Sequence, residues 1–454
     1  MTDRPFLFGV RTCRRTPGRC RVRFPPESAA DDQYREDVSS VTSKLPRSFV
    51  RVGWSGVLVQ FAEQVSLAAA PLVAVLVFSA SPAQTAVLQV AHTLPFLLFA
   101  IPVGLLVDRL NRRTVLIVSE SLRAVTLALA IVLLVTEVLT FSQLVLIGFL
   151  GAVGTVAFSV AMPAVVPQLV DRDQLIQANR WVELGRSAAL IAGPASAGML
   201  ASWLGASSAF VVATTLCVLG ILLLLRLDIP PQSGAPRRPI LRDLREAARF
   251  GWSTPVLRTI ILTSFGFNIG WFIIQAIFVV YAVDILLMTP VHVGYALAAS
   301  GVGMAVGAAV SPAITRRLSL GGAALLGPLG GFGAALALAA TLVAPTSVLA
   351  MLSYFLFGFG PVIWAITTTS IRQAITPVEM LGRVSSLLVV ATYGARPVGA
   401  ALAALVSVFW GTTGCLLLAT ALFAAQLLYV ALSPLAKLRS LQGAAATNAD
   451  PSGG

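Results

Sequence analysis

Twelve apolar stretches follow one another between residues 52 and 433, each close to the roughly 20 residues a helix needs to cross a hydrocarbon core. This succession constrains the fold more than any other feature. Inside a bilayer every backbone N–H and C=O must find an internal partner, so only helices and closed barrels can span it. A barrel would show alternating segments of about ten residues, and none is present. The expected spans, numbered 1 to 12, are 52–78, 84–107, 114–135, 141–162, 182–203, 206–226, 255–281, 292–314, 321–343, 346–369, 385–408 and 412–433. Breaks fall at Pro, Gly, Ser and charge, as in Ser79-Ala80-Ser81-Pro82, Asn111-Arg112-Arg113, Thr289-Pro290 and Ala344-Pro345-Thr346. The chain is 57% apolar and only 11% charged, against about 25% charged in a soluble domain. That excludes a soluble enzyme, and it excludes disorder for the bulk of the chain.

The cations set the topology. Of 32 Lys and Arg, 30 fall in tails, loops and the adjoining span ends on one face and none on the other; Arg123 and Arg396 lie deeper inside spans. By the positive-inside rule both termini are cytoplasmic, and the expected location is the inner, cytoplasmic membrane of the cell. The net charge of +13 then needs no nucleic-acid partner. The expected organisation is a disordered basic tail (1–50), a six-helix bundle (51–226), a cytoplasmic linker (227–254), a second six-helix bundle (255–433) and a cytoplasmic C-terminal tail (434–454). The linker is Pro-rich, then basic and amphipathic over 241–250, and reads as a helix lying on the surface. The first tail either sets topology on an anionic leaflet or reflects a start codon placed too early. A native peptide covering Cys13 would exclude the second.

A constant offset of 203 residues relates Gly104 to Gly307, Arg113 to Arg316, Arg180 to Arg383 and Pro194 to Pro397. Internal repeats of this kind mark secondary transporters. The expected fold class is an all-α membrane protein, with 12 transmembrane helices in two pseudo-symmetric six-helix bundles.

At the end of span 2 the chain reads Gly104-Leu-Leu-Val-Asp108-Arg109-Leu-Asn-Arg112-Arg113. This resembles the signature between helices 2 and 3 of the major facilitator superfamily. Asn111 stands where Gly is usual, and Asn tolerates the same left-handed turn. Pro163-Ala-Val-Val-Pro167-Gln-Leu-Val-Asp171, Leu175-Ile-Gln-Ala-Asn179, Arg186, Gly193-Pro194 and Pro377-Val-Glu379-Met-Leu-Gly382-Arg383-Val-Ser385 resemble the drug/proton antiporter branch that contains macrolide efflux proteins and the enterobactin exporter. The resemblance implies a gating role for Gly104, Asp108, Arg109, Arg112 and Arg113. In it, Asp108 meets the start of span 11 near Ser385, and Gly104 lets the two helices approach. A topology-anchoring loop is the plainer alternative.

The charges left inside the spans are the candidates for coupling. Glu63 sits about a dozen residues into span 1, where a charge costs roughly 2–3 kcal/mol on insertion scales. Gln60, Glu63 and Gln64 share one helical face. Glu63 suits proton coupling or cation recognition, with a structural hydrogen bond as the alternative; the resembled branch often carries an acid in this region. Glu120 and Arg123, three residues apart in span 3, either brace the bundle as a pair or relay charge during transport. Arg396 in span 11 has no acid nearby on its own helix, so its partner is another helix, lipid headgroups or substrate. Ser264, Asn268, Trp271 and Gln275 form a polar and aromatic stripe on span 7. With Phe158, Trp364 and Tyr393 they would line a midplane cavity suited to an amphipathic organic molecule, although packing or lipid contact would account for any single aromatic. Gln89 and His92 in span 2 read as structural.

No P-loop, zinc motif or cofactor motif is present, and no soluble segment is long enough for a catalytic domain. The leading expectation is a monomeric, non-enzymatic, proton-coupled exporter of small amphipathic molecules such as drugs, macrolides or a siderophore. It would have no cofactor and no metal, with protons and the bilayer as its other partners. The alternatives are a nutrient or lysolipid importer of the same superfamily and a non-transporting receptor or scaffold. Polar groups inside spans 1, 3, 7 and 11 argue against an inert scaffold.

Overall fold

The computed structural model describes residues 45–107, 110–171, 174–205, 207–226 and 240–439. All regular structure among them is helical. Spans 1 to 6 are Arg47–Phe78, Pro82–Val107, Arg112–Val135, Phe141–Leu169, Leu175–Leu204 and Ser208–Leu225. A linker helix, Ile240–Ser253, precedes span 7, Pro255–Val280, which runs on into a π-helical turn at Tyr281–Ile285. Spans 8 to 10 are Pro290–Arg317, Leu320–Ala340 and Ser347–Ile375. Spans 11 and 12 form one continuous helical stretch, Val378–Leu432, broken at Gly411. The protein is thus an all-α membrane protein of 12 spans in two pseudo-symmetric bundles.

Local chemistry sets the helix ends. Thr140 opens span 4 with a reciprocal capping box to Gln143, and Thr289, Ser319 and Thr346 cap spans 8, 9 and 10. Each supplies an oxygen to an otherwise orphaned backbone N–H. Asn111 caps span 3, accepting from the Arg113 N–H at 2.9 Å. Its φ of −63° and ψ of 118° are extended, not left-handed. This corrects the expectation from the Gly it replaces: the side chain works as a cap, so the backbone need not turn. Span 5 starts at Leu175, before the expected 182, so Arg186, counted above with the cations of one face, stands about three turns inside the helix and not at its end. Residues 434–439 differ from a free tail. Pro434–Lys437 forms a 3-10 turn with Leu435 fully buried, and Gly321 N–H donates to Leu438 O at 2.8 Å.

Within the first half, span 1 packs on spans 5 and 6, span 2 on 4, and span 3 on 4 and 6. In the second half, span 10 packs on 8 and 9, and span 7 on the stretch of spans 11 and 12. The halves meet along two seams, span 5 on span 8 and span 2 on span 11. The first seam is a backbone contact. A Cβ on Gly294 would lie 2.6 Å from Pro194 O and 3.1 Å from the Gly198 Cα, so only a residue without a side chain fits.

At the Arg-poor end one buried cluster crosses between the halves, joining Leu72, Val75 and Ala86 to Ile273, Ile277, Ala400 and Ala403. At the Arg-rich end the described clusters stay separate. One around Phe49, Leu116 and Val165 belongs to the first half, and one around Leu257, Trp364 and Ile371 belongs to the second. Among the described residues, buried apolar packing therefore joins the halves at the Arg-poor end and not at the end that carries the cations. The linker helix docks on the second half, with Ala247 fully buried and Gly251 against Ile261 and Leu387. Glu246 pairs with Arg383 at 2.5 Å.

Candidate functional site

The structure brings together three of the four intramembrane charges from different helices, with Glu120 paired beneath them. Glu63, on the inner part of span 1, is half-buried, and its carboxylate has no hydrogen-bond or ion-pair partner among the described residues. Arg123, Glu120, Arg396 and Arg186 all lie within electrostatic reach of it. Glu120 and Arg123 form a buried ion pair at 2.9 Å, with side chains 0% and 4% exposed. Arg123 also reaches Val59 O of span 1 at 3.5 Å. One oxygen of Glu120, Oε2, is buried without a partner, and Cys217 of span 6 lies beside the pair. The pair fits because Gly154 of span 4 leaves room; a Cβ there would sit 2.8 Å from Arg123 Cγ.

Arg396 has no carboxylate at bonding distance. Its guanidinium lies 4.0 Å from the Tyr393 ring and 5.2 Å from that of Phe272, a cation–π setting. Tyr393 stacks flat on Phe96 of span 2 at 4.9 Å. Arg396, Tyr393 and Phe96 thus form a layered stack across the seam between the halves. Phe96 escaped the sequence reading because nothing distinguishes it from other span 2 aromatics. Arg186 is another, since the expected start of span 5 at 182 put it at the helix end. It stands about three turns into span 5, exposed, and paired with Glu183 at 2.5 Å. The Glu183/Arg186 spacing of three is the signal that marks a helix there.

The remaining candidates separate. Gln64 packs against Gly193 of span 5, and Gln60 is half-buried on the same face. Phe158 is 3% exposed in the core of the first half, so in this conformation it packs there and does not face a cavity. Trp271 packs on Tyr354 and Phe357 of span 10, and Gln275 accepts from the Tyr354 hydroxyl at 2.8 Å. These two knit spans 7 and 10. Asn268 donates back to Ser264 O at 2.9 Å. Ser264, Asn268 and Trp364 border an internal cleft of the second half. His92 lies against Gly148 of span 4.

Of the gating motif, Asp108 and Arg109 lie outside the described residues, and with them the contact to span 11. A Cβ on Gly104 would meet Val160 of span 4 at 3.9 Å, and no described residue of span 11 within 4 Å. Arg113 donates to Leu224 O and Leu225 O, and Arg51 to Arg226 O at 2.9 Å. Both arginines cap the carbonyl end of span 6, where a cation is favoured by the helix dipole. Arg112 is half-buried at the start of span 3.

A family model described as transmembrane secretion effector matches residues 49–452. The chain belongs to this family, within the major facilitator superfamily. Transmembrane secretion effectors are transporters, and this chain is a multi-pass membrane transporter. It is 28% identical over 343 residues to the multidrug efflux pump Tap of Mycolicibacterium fortuitum, covering 72% of this chain and 82% of that one. It is 28% identical over 257 residues to the enterobactin exporter EntS of Escherichia coli O1:K1 / APEC, covering 56% of this chain and 59% of the exporter. The match therefore spans less than two thirds of that second relative. In fold it superimposes on a bacterial homolog of the human lysosomal transporter Spinster in an inward-facing, occupied conformation. The TM-score is 0.68 at 14% identity, over 87% of this chain and 97% of that one.

Proposed function

We propose that this secretion effector exports small amphipathic molecules in exchange for protons, by alternating access of its two halves, in the bacterial inner membrane with both termini cytoplasmic. The observation that carries the reading is the unpaired carboxylate of Glu63. The Glu120–Arg123 and Glu183–Arg186 pairs are each bonded to one another, and the Glu63 carboxylate, without an ion-pair partner of its own among the described residues, lies in the field of Arg123 and, more weakly, of Arg396 in the second half. Ionised, Glu63 attracts Arg396 across the interface. A proton neutralises that attraction, and so does a cationic or hydrogen-bond-donating substrate at the same carboxylate. Two ligands that compete for one group bind in alternation, which is the thermodynamic requirement for antiport. The Arg-rich end, where no described buried cluster joins the halves, is then the substrate-loading end. Support for export over import or a scaffold role comes from relatives named as an efflux pump and an exporter.

The test is accumulation of ethidium in proteoliposomes with an acidic lumen. The native protein is expected to accumulate ethidium only when the pH gradient is imposed. Glu63→Gln should abolish gradient-driven accumulation while leaving ethidium counterflow, which needs no proton. Unchanged gradient-driven uptake in Glu63→Gln would reject the coupling role.

A further inference from the structure

The second half contains a cleft that the exchange mechanism above does not use. Its inner chamber holds about 520 Å³ of empty space among spans 7, 9, 10, 11 and 12, walled by Phe267, Pro361 and Trp364. An outer chamber of about 450 Å³ continues toward the Arg-rich end, past Thr368 and Thr369 to Arg372. Ser264, Trp364, Ala365 and Thr392 border both chambers, so the two form one passage. Both figures include space open to solvent at the mouth.

The lining carries unmet hydrogen-bonding capacity. Thr263 Oγ1, Gln426 Oε1 and Arg372 Nε are buried without partners, although Thr263 is 2% and Gln426 8% exposed. Buried polar groups are ordinarily satisfied. Gln426 cannot relieve itself by turning, because its Nε2 already donates to Thr263 O at 2.9 Å. A packing defect would be apolar and dry. This passage instead combines an indole wall, several hydroxyls and one guanidinium, and no carboxylate borders either chamber among the described residues. A guanidinium in such a setting selects an anion, and an aromatic wall selects a flat apolar body.

We propose that this cleft is a binding subsite for an aromatic amphiphile bearing an anionic group, its ring against Trp364 and its anion at Arg372, entered from the Arg-rich face. The proposal rests on the transporter reading only in taking the occupant to be a transported solute. The same chemistry is offered by an anionic phospholipid headgroup, and the test separates the two.

The probe is 4-benzoylbenzoate, a photoreactive aromatic carboxylate, added to the full-length protein in phosphatidylcholine nanodiscs and irradiated, with labelled peptides mapped by mass spectrometry. Saturable labelling is expected within 260–268, 361–372 or 388–392. It should fall about tenfold with the uncharged 4-benzoylbenzamide and about tenfold in Arg372→Gln, the scale of one charge-assisted hydrogen bond, and persist in Arg372→Lys. If Arg372→Gln fails to fold, Thr392→Trp fills the passage and should abolish the labelling. Equal labelling by the amide, or labelling unchanged in both Arg372→Gln and Thr392→Trp, overturns the subsite. Complete protection in nanodiscs made mostly of phosphatidylglycerol assigns the cleft to lipid and overturns the solute. Labelling needs no proton gradient, so its failure and a failure of the Glu63 exchange test are told apart.

Discussion

Removing one member of the Glu120–Arg123 pair strands its partner at a site with almost no solvent, and breaking such a pair costs about 3–5 kcal/mol. Glu120→Gln and Arg123→Gln, each alone, should therefore lower the thermal unfolding midpoint in detergent strongly. The double variant, which leaves no lone charge, should recover most of the loss. Vesicle transport by the double variant then separates the two roles open for this pair: a brace keeps transport, and a charge relay loses it. Asn111→Ala removes a cap whose oxygen holds the Arg113 N–H and should cost about 1 kcal/mol, read as a small drop in the same midpoint. The charges inside the spans stand out in the sequence because ionised groups in hydrocarbon are so expensive. Their partners do not. Glu63 and Arg396 are 333 positions apart, and which helix face a charge meets depends on packing among helices that look equally apolar. Arg186 reads as a span-end cation when the helix is started at 182, and the real start at Leu175 puts it about three turns inside.

At the scale of the element, Gly411 decides how spans 11 and 12 join. Its φ of 60° and ψ of −161° are strained for any residue with a Cβ, and Gly411→Ala should cost about 1–2 kcal/mol, measured as a lowered unfolding midpoint with transport intact at low temperature. The linker helix illustrates which contact matters. Its Glu246–Arg383 pair is 42% and 26% exposed, and pairs of that kind contribute about 0–1 kcal/mol. Buried Ala247 and the close approach at Gly251 carry the docking. Glu246→Ala should leave stability nearly unchanged, whereas Ala247→Leu should loosen the helix, read as faster proteolysis at the linker. An amphipathic helix at 241–250 was legible from its periodicity. The surface it covers was not, because an amphipathic pattern names a face without naming its partner.

At the scale of the whole molecule, the seam of spans 5 and 8 holds the Arg-poor end shut. Gly294→Ala drives a methyl into the facing backbone of Pro194 and Gly198, so it should prop this seam apart. The expected result is a severalfold fall in ethidium transport and a lowered unfolding midpoint, with the protein still in the membrane. Unchanged transport and midpoint would mean the close approach of the two backbones does not hold this end. The offset of 203 residues already indicated two related halves, and the structure adds that, among the described residues, a buried apolar cluster joins them at the Arg-poor end.

The sequence by itself determined the number of spans, the side that carries the cations and the division into two bundles. Each follows from a local cost: the length of hydrocarbon to be crossed, the energy of burying a charge and the need to satisfy every backbone group within its own helix. Tertiary structure alone decided that Glu63 lies unpaired with Arg396 in reach, that Phe158 packs in a core, that Asn111 caps a helix, and that a cleft with orphaned polar atoms opens beside Trp364. Between apolar helices in lipid no hydrophobic gradient selects one face over another. The choice falls to shape, to where a glycine lets two backbones touch and where a side chain fills the gap, and shape is absent from a hydropathy pattern.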